Sequence, residues 1–407
     1  MNTAGSINFS KDDILFSNTI CFYFVFIAGN YTLKTIFGNI GTVNSIYYLS
    51  LAMLLFIIMK SLSKLIDKHR RIVVNSFALF LSLFVISIIS NSIENRPIDL
   101  IIKDVVLWNI GLWIPLGCCV YAIEDKHVLY DRLIKSSYII DIFLFFSFVF
   151  RRTTTEYGLA SYDMTFGISL TLAIIIHLSQ FIRSRKTLIL ILIILEMAAL
   201  LLYGNRGVLL SVLFYLLYKT VFEGKNKLLA TTVVLSIVAF VMFSDTILLS
   251  LSDFLLSHNI QSRSLSMLAS NTLAESSERD ELRLISMQLI SEKPILGWGL
   301  GGEFYEIAKR YAGATTDVTS SFNPHNGILQ NFVEFGMIGG TIASLSCVYP
   351  LLKLRAIEDD ITKELLLVFG SYSIITRVVS AAGFFTHPEV AVFLYLFYSE
   401  RKKMKSI

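Results

Sequence analysis

The chain has 407 residues, 54% of them hydrophobic and 16% charged, with a formal net charge of +4 and a mean hydropathy of +0.65. A soluble globular chain is nearer to about 25% charged, so this composition excludes a disordered protein, a secreted disulfide scaffold and an ordinary cytosolic enzyme. It requires a polytopic membrane protein, and the small net charge gives no reason to expect nucleic acid.

The first 13 residues are polar and lead into an apolar run without a small-residue cleavage pattern, which reads as a first span and not as a removed signal peptide. A span needs about 17–25 apolar residues. Nine such runs, some short or interrupted, come first, at 14–37, 43–59, 72–90, 100–123, 133–150, 165–182, 187–203, 207–222 and 228–251. A long polar segment, 252–323, follows, and three more runs close the chain at 326–350, 364–385 and 387–400. The expected fold is an all-α, polytopic transmembrane helix bundle of about twelve spans, with one large extracytoplasmic helical loop between spans nine and ten. Its divisions are a bundle over 1–251, a cap over 252–323 and spans ten to twelve over 324–407.

Basic residues set the direction. With both termini inside, the inner segments hold 22 of the 35 Lys and Arg, while the short outer segments hold four. Losing one span would reverse the later loops and destroy this bias. The four cysteines, Cys21, Cys118, Cys119 and Cys347, all fall in apolar runs and read as small apolar residues in helices. Neither a disulfide framework nor metal-ligand spacing is visible.

The outer loop is too long for a connector and is not low in complexity. Glu278–Glu292 predicts a helix with Leu282, Ile285, Leu289 and Ile290 as its apolar positions, and Pro294 stops it. A glycine-rich turn at 297–302 and an aromatic amphipathic stretch, Phe304–Tyr311, follow. No strand precedes the glycines, so they are not a dinucleotide motif. No P-loop and no serine nucleophile elbow occur, which disfavours an energy-coupled ATPase.

Five features are candidates for chemistry. Arg206, in Tyr203-Gly204-Asn205-Arg206-Gly207, sits at the outer end of span seven, where positive charge is scarce. Arginine grips phosphate through bidentate charge-assisted bonds; the alternative is an interfacial arginine reaching to headgroups. Arg279 and Arg283 lie four apart and share one helix face, either as an anion clamp or as salt-bridge partners of Glu278, Asp280 and Glu281. His325, after Pro324, opens the tenth helix. The positive end of a helix favours the neutral imidazole, which is able to take a proton from a hydroxyl; the alternative is an interface or capping histidine. Asn326, Gln330 and Glu334 form a polar stripe at every fourth position, which lipid would not tolerate and which must face a cavity or another helix. Gly336 and Gly340 read as a close-packing pair. His177, Glu196 and Arg377 are ionisable groups within spans, explained structurally if Glu196 pairs with His177 or Arg377.

Taken in order, these residues resemble the O-antigen polymerase and O-antigen ligase superfamily of bacterial integral-membrane glycosyltransferases. Three motifs carry the resemblance: Asn205-Arg206-Gly207; Arg279-Asp280 followed by Pro294-Ile295-Leu296-Gly297-Trp298-Gly299; and His325-Asn326 followed by Gly336-Met337-Ile338-Gly339. They cover about 200–345, and the N-terminal half agrees in hydropathy only. The resemblance implies an inner-membrane enzyme with its active site on the periplasmic face and no cofactor or metal. Its donor would be an oligosaccharide on undecaprenyl diphosphate, and its acceptor a second lipid-linked glycan or lipid A–core. Membrane lipids and a chain-length regulator protein join the candidate partners. Arg206, Arg279 and Arg283 would hold the diphosphate, and Arg206 and His325 would be catalytic, with His325 as the base. Asn326, Gln330, Glu334 and Trp298 would line the acceptor groove. The Pro-Ile-Leu-Gly-Trp and Pro-His-Asn-Gly contexts favour a polymerase over a ligase. A flippase or transporter, the remaining class, predicts an internal repeat that is not evident.

Overall fold

The computed structural model describes residues 9–37, 41–93, 110–150, 164–203, 206–223, 277–313, 324–379 and 387–406, with 250, 253, 254 and 257. Every regular element among them is helical. The run expected at 228–251 lies outside the described residues, apart from Ser250.

Helix α1, Lys11–Phe37, carries Asp12 and Asp13 in its first turn, where acidic groups complement the helix dipole. Asp13 is buried, and it accepts hydrogen bonds from the backbone N–H groups of Glu124 (3.0 Å) and Asp125 (3.3 Å). The runs 43–59 and 72–90, expected as separate spans, lie in one helical element, α2, Gly41–Ile93. The intervening 60–71 has no glycine or proline and is rich in Lys, Leu and Arg, so helical bonding continues past the apolar run. The break falls at His69, at φ −129° and ψ 32°.

The chain reverses at that break. Before it, Tyr47 meets Phe26, Ser61 meets Thr19 at 2.7 Å, and Lys68 pairs with Asp12. After it, His69 meets Tyr121, and Ser76 meets Cys118 at 3.8 Å. Residues 41–68 therefore run antiparallel to α1, and 70–93 run antiparallel to α3, Ile114–Ala122.

Helices α4 (Lys126–Phe150), α5 (Met164–Ser184), α6 (Thr187–Tyr203) and α7 (Arg206–Leu217) continue the bundle. Polar ties fix their registers: Thr32 Oγ1 donates to the Phe143 carbonyl at 2.9 Å, and the Tyr130 and Ser179 hydroxyls meet at 2.7 Å. The cap contributes α8 (Ser277–Glu292) and α9 (Gly302–Ala312). Helix α10 (Gly327–Lys353) follows, then α11 (Asp360–Phe369), which runs on into a π-helical stretch, Gly370–Val379, and finally α12 (Pro388–Ser406). Gly117 in α3 is needed where α12 crosses, because a Cβ there would lie 2.9 Å from the Tyr395 ring.

Phe56, Leu79, Phe145, Leu188 and Ile342 are each more than half exposed on the outside of this bundle. Such a surface suits lipid and not water. Among the described residues four helices are long and apolar enough to cross a membrane: Lys11–Phe37, Ser45–Ile89, Phe166–Ser184 and Gly327–Ala356. Shorter apolar helices lie at Ile110–Ala122 and Thr187–Leu200. The chain is an integral membrane protein, and its described residues form helices and no strands. Within it, the Glu196–His177 pair forms, with Nδ1 2.8 Å from Oε1. Arg377 lies in the π-helical stretch, its side chain outside the described set. All four cysteines are free and buried.

Candidate functional site

The cap is organised by the residues that follow α8. Pro294 ends that helix, and the chain turns through Gly297, Gly299 and Gly301, all in the left-handed region at φ 69°, 80° and 74°. This turn docks on a break in α10. Gly336 there has φ 66° and ψ −170°, a conformation reserved for glycine. The break takes the Val333 and Glu334 carbonyls out of the helical ladder. They accept instead from Trp298 N–H (2.8 Å) and Gly299 N–H (2.9 Å), while Met337 N–H donates to the Pro294 carbonyl (2.6 Å). A Cβ on Gly297 would lie 2.5 Å from the Glu334 carbonyl oxygen, and one on Gly336 would collide with the Ile295 carbonyl.

Helix α10 folds back on itself at this point. A Cβ on Gly340 would lie 2.8 Å from Phe332 Cα, and Asn331 Nδ2 is 3.5 Å from Ser344 Oγ. A straight helix at 1.5 Å per residue would hold those pairs about 12 and 19 Å apart. The expected tenth span is thus two limbs, 327–335 and 337–353. Gly336 serves the docking of the turn, and Gly340 serves the contact between limbs, where a simple close-packing pair was expected.

The cap's own core is small: Leu282, Ile285, Leu289, Trp298 and Ile307, with Val333 supplied by α10. Each such buried side chain contributes about 1.5–3 kcal/mol. Trp298 is 6% exposed, its indole N–H donates to the Leu289 carbonyl at 2.8 Å, and Lys293 Nζ sits 4.0 Å above its ring. The ring is therefore committed to the cap core and not to a groove surface. Arg310 clamps α9 to α8 through two 2.7 Å bonds to Glu292, and its guanidinium holds the Glu292 carboxyl below the ordinary glutamate value. The Leu300 N–H donates to Ser87 Oγ at 3.1 Å, which seats the cap on 70–93. Ser87 lies 18 residues beyond His69, about 27 Å along the helix, so the cap and the start of α1 are at opposite ends of the bundle.

The polar stripe of α10 meets the cap. Gln330 Nε2 donates to Glu303 Oε1 and to Glu334 Oε1, both at 2.9 Å, and all three residues are buried. Gln330 and Glu334 thus form a helix contact, not an open groove wall. Burial, and then the Glu334 charge, push the Glu303 carboxyl well above the ordinary glutamate value. Oε2 of Glu303 and Oε2 of Glu334 have no hydrogen-bond partner among the described residues. Glu303 escaped the sequence reading. The signal was its spacing of four from Ile307, which places a carboxyl on the apolar face of α9.

His325 precedes α10 with φ 49°, a left-handed conformation that a non-glycine residue holds at a cost of about 1–3 kcal/mol. Such strain persists where neighbours over-determine it. Here Asn326 is the N-cap of α10, its Oδ1 accepting from the N–H groups of Ile328 (3.0 Å) and Leu329 (3.1 Å). The Asn326 side chain is spent on this capping. Arg283 is exposed and pairs with Asp280 at 3.3 Å. Arg206 opens α7 and Arg279 lies in the first turn of α8; their side chains lie outside the described set.

These elements bring the second and third motifs into one backbone-bonded unit. Residues 187–344, which span Arg206, α8, the glycine turn and His325, match the family described as O-antigen ligase. A comparison of the chain with curated proteins returns no match. Over residues 187–344, less than half of its length, the chain is thus similar to the O-antigen ligase family.

Proposed function

We propose that the chain is a polymerase that joins oligosaccharide repeat units carried on undecaprenyl diphosphate, working at the cap end of the bundle on the periplasmic side of the inner membrane. The observation that supports this is the backbone joint between the Pro294–Gly299 turn and the Gly336 break, which sets the arginine-bearing α8 beside the helix that His325 opens. In the proposed reaction the His325 imidazole takes the proton of an acceptor hydroxyl. The hydroxyl oxygen attacks the anomeric carbon of the donor glycan, and the bond from that carbon to the diphosphate oxygen breaks. Arg206, Arg279 and Arg283 stabilise the charge that develops on the leaving diphosphate. Asn326 positions His325 by capping α10, and Gln330, Glu334 and Trp298 hold the wall behind it.

The second reading, transfer of the glycan to lipid A–core, is favoured by the description of the matched family as O-antigen ligase. A deletion strain examined by lipopolysaccharide gel separates the two. Core carrying a single repeat unit supports the polymerase. Bare core with polymeric glycan left on the lipid carrier supports the ligase, and unchanged lipopolysaccharide refutes both.

A further inference from the structure

We propose that Asp141, His177 and Glu196 form a divalent metal site inside the membrane half of the bundle. The three come from α4, α5 and α6, and their candidate ligand atoms lie within 4.8 Å of one another. His177 Nδ1 is 2.8 Å from Glu196 Oε1 and 3.6 Å from Asp141 Oδ2.

The hydrogen bonds on the far side of the imidazole decide what lies on the near side. Ser137 donates its one hydroxyl hydrogen to the Ile134 carbonyl at 2.8 Å. That hydrogen cannot also serve His177 Nε2, 2.9 Å from Ser137 Oγ; while it stays on the carbonyl, Nε2 is the donor of that contact. A neutral imidazole in this tautomer turns the lone pair of Nδ1 toward two carboxylates. Acceptor then faces acceptor unless a proton or a metal cation bridges them. Both oxygens of Asp141 and Oε2 of Glu196 are buried without a hydrogen-bond partner among the described residues, and Glu196 is 5% exposed.

Charge selects the cation. Two carboxylates and an imidazolium leave a net negative charge in a low-dielectric setting, which is costly. Two carboxylates, a neutral imidazole and a divalent ion sum to zero. One nitrogen and two carboxylates suit zinc or manganese, and bonds of about 2.0–2.2 Å are reached as the wider ligand pairs close and the His177–Glu196 pair opens around the ion. The hydrogen bond to Ser137 is the support that fixes ring orientation in such sites. Asp141 and Glu196 also line a cavity of about 350 Å³ whose other walls are apolar, including Leu144, Phe148, Leu170 and Leu195. No short spacing announces the site, because each ligand comes from a different helix.

The test is elemental analysis of the full-length protein, purified in detergent without a histidine tag from cells grown with zinc and manganese and washed with chelator. About one divalent ion per chain is expected. Asp141→Asn, which preserves shape, is expected to lower this to under a tenth. Ser137→Ala keeps all three ligands and is expected to weaken retention against chelator by about 10- to 100-fold. Wild-type protein at background metal would mean that protons alone fill the cluster and would overturn the proposal. So would equal metal content in wild type and both variants.

Discussion

Gly336→Ala tests whether the cap is held by the backbone joint at the break in α10. Alanine cannot adopt φ 66° and ψ −170° without strain, and its Cβ would collide with the Ile295 carbonyl. The strain costs about 1–3 kcal/mol. Relieving it moves the turn away and breaks three backbone hydrogen bonds, from Trp298, Gly299 and Met337, each worth about 0.5–1.5 kcal/mol. The lost bonds together cost about 1.5–4.5 kcal/mol, which is on the order of a 10- to 10³-fold rise in local opening. The readout is hydrogen exchange on detergent-purified protein, followed at the Trp298 and Gly299 amides. The bonds within α4 and α5 should stay as protected as in wild type, since the joint lies outside them. Gly313→Ala is the control. That residue has φ 63°, and a Cβ there meets nothing within 4 Å, so only strain of about 1–2 kcal/mol applies. Unchanged exchange at Trp298 and Gly299 in Gly336→Ala, or equal effects in the two variants, would refute the reasoning.

Four further outcomes are expected. His325→Ala should abolish surface glycan with normal protein level in the membrane, and glycan retained at wild-type amount would remove the histidine from the base role. His325→Gly should also lose glycan yet melt no earlier than wild type, because the left-handed conformation costs a non-glycine residue about 1–2 kcal/mol and this offsets glycine's entropy cost of about 0.5–1 kcal/mol. Arg206→Lys should cut polymer formation severely, since lysine lacks the planar fork that grips a diphosphate; full polymer on the gel would take Arg206 out of that grip. Glu303 makes the docking of the cap pH-dependent: a carboxyl raised in the folded state stabilises below its ordinary value near 4.5 and loses that stability as pH climbs through the raised value. Protease sensitivity of the cap should therefore rise with pH in wild type and stay flat in Glu303→Gln; parallel curves would exclude Glu303 as the titrating group.

The sequence alone determined the features that depend on neighbours within one helical turn or on summed composition. The hydrophobic and charged fractions settle the membrane setting, because no water-soluble core takes up that much apolar surface. The helix at Glu278–Glu292 was legible from its apolar positions and its proline stop, and it forms as Ser277–Glu292 with Leu282, Ile285 and Leu289 inward. The order of Arg206, the glycine turn and His325 was legible for the same reason. Tertiary structure decided what periodicity does not encode. Helical propensity across 60–71 hides the reversal at His69, and a helix pattern across 327–353 hides the fold at Gly336. Trp298 reads as a sugar-stacking aromatic or as cap core, and only the packing of Leu289 and Val333 against it shows the core. Glu303 meets Gln330 across 27 residues, and Asp141 joins a pair already formed by His177 and Glu196. Each of these depends on residues far apart in sequence, and a pattern of three to four residues carries no record of which distant helix a face will meet.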